Sequence, residues 1–269
     1  MNQPGFTLNP ISPHIGAIVE GTGDLRTADA STIQFLRDAL DAHHLLVIRD
    51  QSMTAAELRT LTSQFGPLFV HHDDQGVIHA DGLKEVLEMR KEPDGDYLFG
   101  GADWHTDVSF RSPEGYASFL HAKVLPPLGG DTLFNSCLAA YAALSPGMKT
   151  MLDDLQAVHS YWGPGRPDHP QQCATHAVVR THPTKQQKSL YINRMFATRF
   201  EGMTESESRP IIDFLDHHIS NGAFGCRISW EPGQLVIWDN RFTLHYPCND
   251  FSGHLRLLIR CTAMCSPSY

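Results

Sequence analysis

The chain has 269 residues, 41% apolar and 19% charged, with a formal net charge of −9. That length allows one large core, and the acidic balance argues against nucleic acid or an anionic membrane as a main partner while leaving room for a local basic site for a small anion. No run approaches the ~18 consecutive apolar residues that a spanning segment needs.

Residues 11–23 read as loop and short strand, with Ile15, Ala17 and Val19 alternating. A helix from about Ala30 carries Ile33, Leu36 and Leu40 on one stripe and runs into the strand Leu45-Leu46-Val47-Ile48. Thr54 and Glu57 form a capping-box pattern for a second helix, with Leu58, Leu61 and Phe65 as its stripe and Gly66 as its stop.

From Glu85 the pattern shifts to short strands punctuated by Gly and Pro. Candidates are 85–89, a strand around Trp104 entered from the Gly- and Asp-rich loop 94–102, then 116–124 and Asp131-Thr132-Leu133-Phe134. Helical patterns follow over 138–144 and after Ser145-Pro146, where Ser caps and Pro takes the first helical position. The Gly-, Pro- and His-rich stretch 163–172 reads equally as an enzyme lid or a plain surface insertion. Strands resume at 177–180 and 190–192. A capping box of Thr204 with Glu207 opens a helix with the stripe Ile211, Leu215 and Ile219, and strands at 226–230, 235–238 and 255–263 close the chain. No repeat, low-complexity run or linker divides it.

Six cysteines are scattered without a Cys-x-x-Cys pair, which predicts buried reduced thiols in a cytoplasmic protein rather than a disulfide framework or a structural zinc site. Met1-Asn2-Gln3-Pro4-Gly5-Phe6 has no basic residue and leads into no apolar run, so no signal peptide is expected.

The chemistry centres on Asp103-Trp104-His105-Thr106-Asp107-Val108-Ser109-Phe110. On an extended strand, residues i and i+2 share a face, so His105 and Asp107 can converge on one metal ion as two members of a 2-His-1-carboxylate triad. Composition alone yields roughly one His-x-Asp by chance, and His71-His72-Asp73 and His72-Asp73-Asp74 match too. The third ligand candidate is His245, between two strand signals; without context a lone histidine is more often a surface or core residue.

The last strand adds that context. Arg256, Leu258, Arg260 and Thr262 share one face, which puts two arginine Cα atoms ~13 Å apart on an otherwise apolar strand. An interior guanidinium calls for an anion, and Arg suits bidentate carboxylate binding. An outward, solvated face is the bland alternative.

With these blocks in order, the chain resembles the taurine dioxygenase-like (TauD/TfdA) Fe(II)/2-oxoglutarate oxygenases. The blocks are Pro13-His14-Ile15-Gly16-Ala17, Arg49-Asp50-Gln51, Phe65-Gly66-Pro67-Leu68, Trp104-His105-Thr106-Asp107, Gly129-Gly130-Asp131-Thr132, Val179-Arg180-Thr181-His182-Pro183 and Trp238-Asp239-Asn240-Arg241. The resemblance implies an α+β fold with a double-stranded β-helix (jelly-roll, cupin-like) core and flanking helices, residues 1–269 forming a single domain. It implies that His105, Asp107 and His245 bind iron, that Thr132 and Arg256 hold the far carboxylate of 2-oxoglutarate, and that Arg260 lies near the substrate anion and the near carboxylate. His71 aligns with a substrate-contacting histidine, and Phe196 with an aromatic wall of that pocket.

The implied reaction consumes O2 and 2-oxoglutarate, releases succinate and carbon dioxide, and hydroxylates a small, anionic substrate carbon skeleton, sulfonate-like or carboxylate. Asp107 argues for hydroxylation over halogenation, since halogenating relatives replace that carboxylate. If the hydroxylated carbon bears a heteroatom, the product collapses and releases sulfite or another leaving group. Gly101 and Asp74 depart from the taurine-enzyme pattern and count against taurine itself. A zinc hydrolase or isomerase using the same three ligands is the alternative enzyme. A small-molecule partner is expected, with neither nucleic acid nor membrane; a homo-oligomer is compatible with the sequence.

Overall fold

Strands whose side chains alternate between two apolar layers build the largest sheet of this computed structural model, which describes residues 5–71, 77–96, 103–161 and 172–266. β1 (Thr7–Pro10) and β2 (Ala17–Glu20) form an antiparallel pair; α1 (Ala30–His43), β3 (Leu45–Ile48), α2 (Ala55–Ser63), β4 (Ile78–His79) and β5 (Val86–Lys91) follow. The middle of the chain supplies β6 (Gly115–Val124), β7 (Thr132–Ser136), α3 (Cys137–Ala143), α4 (Pro146–Leu152), β8 (Gln156–Ser160), β9 (Cys173–Ala177), β10 (Val179–Thr181), β11 (Lys188–Leu190) and β12 (Ala197–Phe200). The last third contains α5 (Glu205–Ile219), β13 (Gly225–Ile228), β14 (Leu235–Asp239), β15 (Thr243–Pro247) and β16 (Arg256–Met264).

Eight strands lie in the order β1-β2-β3-β14-β6-β16-β5-β4, and a second sheet has the order β13-β7-β15. One face of the large sheet packs Phe119, Ile237, Ile259 and Cys261 against Leu36 and Leu40 of α1 and Leu58 and Leu61 of α2. Its other face turns Leu120, Val236, Trp238 and Leu258 onto Phe134 of β7 in the second sheet. Helices on one side and a facing sheet on the other make this an α+β fold with a jelly-roll core. β8, β9 and β12 form a third sheet, and α3 and α5 pack with it through Ala140, Phe200, Ile212 and Leu215.

Both capping boxes form. Thr54 and Thr204 each accept from the N3 backbone while Glu57 and Glu207 reach back to the cap. Gly66 does not end α2; the helix ends at Ser63, and Gly66 instead permits close approach, since a Cβ there would lie 2.6 Å from the Met264 carbonyl oxygen. The strand expected around Trp104 reduces to one antiparallel bridge between His105 and His245, after which residues 107–110 turn. The strand expected at 177–180 divides into β9 and β10 at Val178, whereas β8, β12 and β15 carry no sequence signal strong enough to be anticipated. All six cysteines are free; Cys173 is exposed and Cys226 half-buried, so burial of every thiol does not hold. No helix among the described residues is long and apolar enough to cross a membrane.

Candidate active site

His245 lies on β15, whose neighbour β7 pairs His245 with Phe134. The His105–His245 bridge is reciprocal: His105 N–H donates to the His245 carbonyl at 3.0 Å, and His245 N–H to the His105 carbonyl at 2.8 Å. Two imidazoles far apart in sequence are thereby side by side, with ring centroids 4.1 Å apart. Asp107 turns in from the following residues because its N–H is taken by the Asn240 side chain at 3.1 Å, and Val108 then adopts φ +60°. That conformation is costly for a β-branched residue, on the order of 1–3 kcal/mol, and strain of this kind gathers at functional sites.

The result is one buried cluster. Ligand atoms of His105, Asp107 and His245 all lie within 4.8 Å of one another. His105 Nδ1 is 3.0 Å from the Asp103 carbonyl, which makes it the protonated nitrogen and leaves Nε2 as a lone-pair donor. Both Nε2 atoms stand 4.0 Å from Asp107 Oδ1.

Burial pushes both imidazoles towards the neutral form, His245 well below its ordinary value, with Asp107 opposing the shift in each. Burial also acts to raise the Asp107 carboxyl, but Arg260, His245, His105 and the Ser118 hydroxyl outweigh it and hold the group ionised, far below the usual carboxylate range. Two neutral imidazoles and one carboxylate are the donor set of a non-haem Fe(II) site, so the residues present fit that metal.

Beside the triad runs an unbroken series of aromatic rings. His71 meets Phe69 at 4.6 Å, Phe69 meets Phe110 at 6.3 Å, Phe110 meets Phe196 at 5.2 Å, and Phe196 meets His105 at 6.5 Å, centroid to centroid. Tyr161 closes the wall against Phe110 and Phe196. His71 and Phe196 are thus brought to one apolar surface next to the triad.

Known proteins share these features. The family described as "Taurine catabolism dioxygenase TauD, TfdA family" matches residues 7–262. The chain belongs to the TauD/TfdA family. An alkylsulfatase of Acinetobacter baylyi is 31% identical to it, covering 95% of this chain and 84% of the relative. The alpha-ketoglutarate-dependent 2,4-dichlorophenoxyacetate dioxygenase of Cupriavidus pinatubonensis is 33% identical, over 88% of this chain and 90% of its own. Among solved structures, a taurine dioxygenase from Burkholderia xenovorans superposes with a TM-score of 0.83 at 31% identity, covering 98% of this chain and 90% of that one.

This TauD/TfdA chain is an Fe(II)- and 2-oxoglutarate-dependent dioxygenase (alpha-ketoglutarate is the same cosubstrate), and the zinc hydrolase or isomerase reading is not favoured. Both β16 arginines are turned inward. Arg256 is 2% exposed and donates through Nε and Nη2 to the Gly130 carbonyl at 3.2 and 2.9 Å. Gly130 makes room for it: φ is +72°, and a Cβ would sit 3.0 Å from Arg256 Nε. Burial pushes the Arg256 guanidinium down to about 10 against the opposing influence of Cys248, Asp131 and Asp250. Thr132, 3% exposed, accepts from Trp230 Nε1 at 3.1 Å. Arg260 Nη1 reaches Asp107 Oδ1 at 2.6 Å, while its Nε is buried with no hydrogen-bond partner among the described residues.

Asp74, Gly101 and nearly all of the 163–172 stretch fall outside the described residues. Sequence reading passed over Phe69 and Tyr161 and gave no role to Phe110, although Phe110 closes the stretch that carries His105 and Asp107. It also passed over Ser118 and Asn240, both of which touch Asp107. Asn240 lay within a block already singled out; Ser118 had no signal at all.

Proposed function

We propose that the enzyme hydroxylates a small organic anion bearing a sulfate, sulfonate or carboxylate, with His105, Asp107 and His245 holding Fe(II). Thr132 and Arg256 hold the far carboxylate of 2-oxoglutarate. Arg260 receives the substrate anion next to the cosubstrate's near carboxylate, and His71 and Phe196 bound the substrate's carbon body.

The observation that carries this reading is Arg260. Its guanidinium donates to an ionised carboxylate at 2.6 Å, and its buried Nε–H has no acceptor among the described residues. A desolvated donor of this kind favours an anion, because leaving it unmade costs roughly 1–3 kcal/mol. The relatives support the same class: an alkylsulfatase and a 2,4-dichlorophenoxyacetate dioxygenase are named for organic anions.

Bound iron supplies oxygen activation, coupling oxidative decarboxylation of 2-oxoglutarate to hydroxylation of the substrate. The chain's own part is to keep both imidazoles neutral, to anchor each anion at a separate arginine, and to shield the site from water with Phe69, Phe110 and Phe196, all buried. Asp107 keeps a carboxylate at the metal, which suits hydroxylation rather than halogenation. A heteroatom on the hydroxylated carbon then leads to release of a leaving group such as sulfite.

Residues 1–269 act as one catalytic domain, a reading supported by the family match across 7–262. Six free thiols suit the reducing cytoplasm, and the net charge of −9 disfavours nucleic acid and anionic membranes as partners.

Succinate formation under oxygen, with Fe(II), 2-oxoglutarate and a panel of sulfate esters, sulfonates, phosphonates and carboxylates, tests the reading. Turnover with an anionic member is expected, and loss of it in His105→Ala and His245→Ala. Undiminished turnover in either variant would overturn the ligand assignment, and no succinate with any member would overturn the substrate class.

A further inference from the structure

Asp107 has two oxygens, and the protein treats them differently. Oδ1 faces His105 Nε2, His245 Nε2 and Arg260. Oδ2 receives the Ser118 hydroxyl at 2.6 Å, a length typical of an O–H donor on a carboxylate. Ser118 is fully buried at the centre of the large sheet, where the β6 register sets it between Trp238 of β14 and Thr262 of β16.

The direction of every bond around Ser118 follows from counting protons. A hydroxyl has one proton and two lone pairs. The charged acceptor takes the proton, so Ser118 Oγ must accept from its two other neighbours, Asn240 Nδ2 at 2.9 Å and Thr262 Oγ1 at 3.0 Å. Thr262 is therefore the donor in its pair.

Asn240 is equally determined. Its Oδ1 accepts from Trp238 Nε1 at 2.9 Å and from the Asp107 N–H at 3.1 Å, and both donors require an oxygen there. The amide is thus unable to flip, and Nδ2 must point at Ser118. Two donors feeding Ser118 polarise its hydroxyl towards Asp107.

We propose that Ser118, oriented by Asn240 and Thr262, is a positioning residue that occupies Asp107 Oδ2 and commits the carboxylate to metal binding through Oδ1 alone. A carboxylate free to rotate could offer both oxygens and cover a coordination position needed by cosubstrate or oxygen; a saturated hydrogen-bond set in a buried sheet prevents that rotation. The proposal rests on the triad reading given above.

Mn(II) binding to the purified full-length protein, followed by electron paramagnetic resonance, separates the two. Ser118→Ala is expected to weaken Mn(II) binding by about 10- to 100-fold, the range seen when partners of metal ligands are removed, and to lower the melting temperature of the metal-free protein, because Asp107, Asn240 and Thr262 each lose a buried hydrogen bond. Thr262→Val, which keeps the shape and removes one donor, is expected to give a smaller loss and serves as the deciding variant if Ser118→Ala does not fold. Unchanged Mn(II) affinity in the folded variant, beside an Asp107→Ala control that has lost binding, overturns the role of Ser118 and leaves the triad standing. Retained binding in Asp107→Ala overturns the triad and this inference with it.

Discussion

Arg260 Nη1 and Asp107 Oδ1 are 2.6 Å apart, and that one oxygen also faces both triad imidazoles. The pair is largely buried, with side-chain exposures of 15% and 5%, so neither charge is well solvated. A positive group beside the carboxylate keeps it ionised in spite of burial, which raises the carboxyl on its own. The same guanidinium stands where a substrate anion is proposed to bind, linking substrate recognition to the metal-binding carboxylate through one side chain.

Replacing Arg260 by Ala is expected to raise the KM for the primary substrate at least tenfold, since a charge-assisted hydrogen bond is worth roughly 1.5–3 kcal/mol. The KM for 2-oxoglutarate should move less. Steady-state kinetics with each varied separately make the comparison, and an effect confined to 2-oxoglutarate would reassign Arg260 to the cosubstrate.

Arg256→Met tests the other anchor. Its guanidinium is buried against the Gly130 carbonyl, two residues before Thr132, at the end of β16 away from Met264. Loss of a charge-assisted pair predicts at least a tenfold weaker 2-oxoglutarate affinity at roughly 1.5–3 kcal/mol. Cosubstrate affinity equal to wild type in anaerobic titrations would remove Arg256 from that role.

The metal-free protein should lose stability below about pH 6.5. His44 and His159 are held well below the ordinary imidazole value, by burial first and then by Lys185 and His176 respectively. Lys185 Nζ lies 2.9 Å from His44 Nε2, which must therefore accept and stay unprotonated. Because the unfolded chain takes up protons at the ordinary value and the folded one does not, stability falls as pH drops. Both residues act in the same direction, so stability is expected to fall steadily from about pH 6.5 to 5.5. Melting curves at pH 7.5, 6.5 and 5.5 check this, with His159→Gln expected to flatten the trend; a constant midpoint would show that these histidines are not held neutral.

Local rules explain much of what the sequence disclosed. Thr54 with Glu57 and Thr204 with Glu207 marked helix starts because a cap satisfies backbone N–H groups within a few residues. β3, β6, β14 and β16 were readable from runs of apolar and β-branched residues. β8 and β15 were not, since Gln156-Ala157-Val158-His159-Ser160 and Thr243-Leu244-His245-Tyr246-Pro247 have no such run and are strands because of what they pair with. Gly66 misled for a related reason: its demand for a small residue comes from Met264, 198 positions away, and not from the helix before it.

The His105-Thr106-Asp107 motif divides the same way. By itself the sequence determined the chemistry available: imidazoles, a carboxylate, two arginines on one strand face, and a family whose blocks this chain carries in order. Tertiary structure decided how those groups meet. The extended strand that was to align His105 with Asp107 is replaced by a bridge to His245, a turn at Val108 and a side-chain bond from Asn240. It also decided that the arginine face is inward and that Ser118 holds one oxygen of Asp107. Those contacts join residues more than a hundred positions apart in most cases, and their energy comes from burying polar groups in mutually satisfying pairs, which no local pattern of residues encodes.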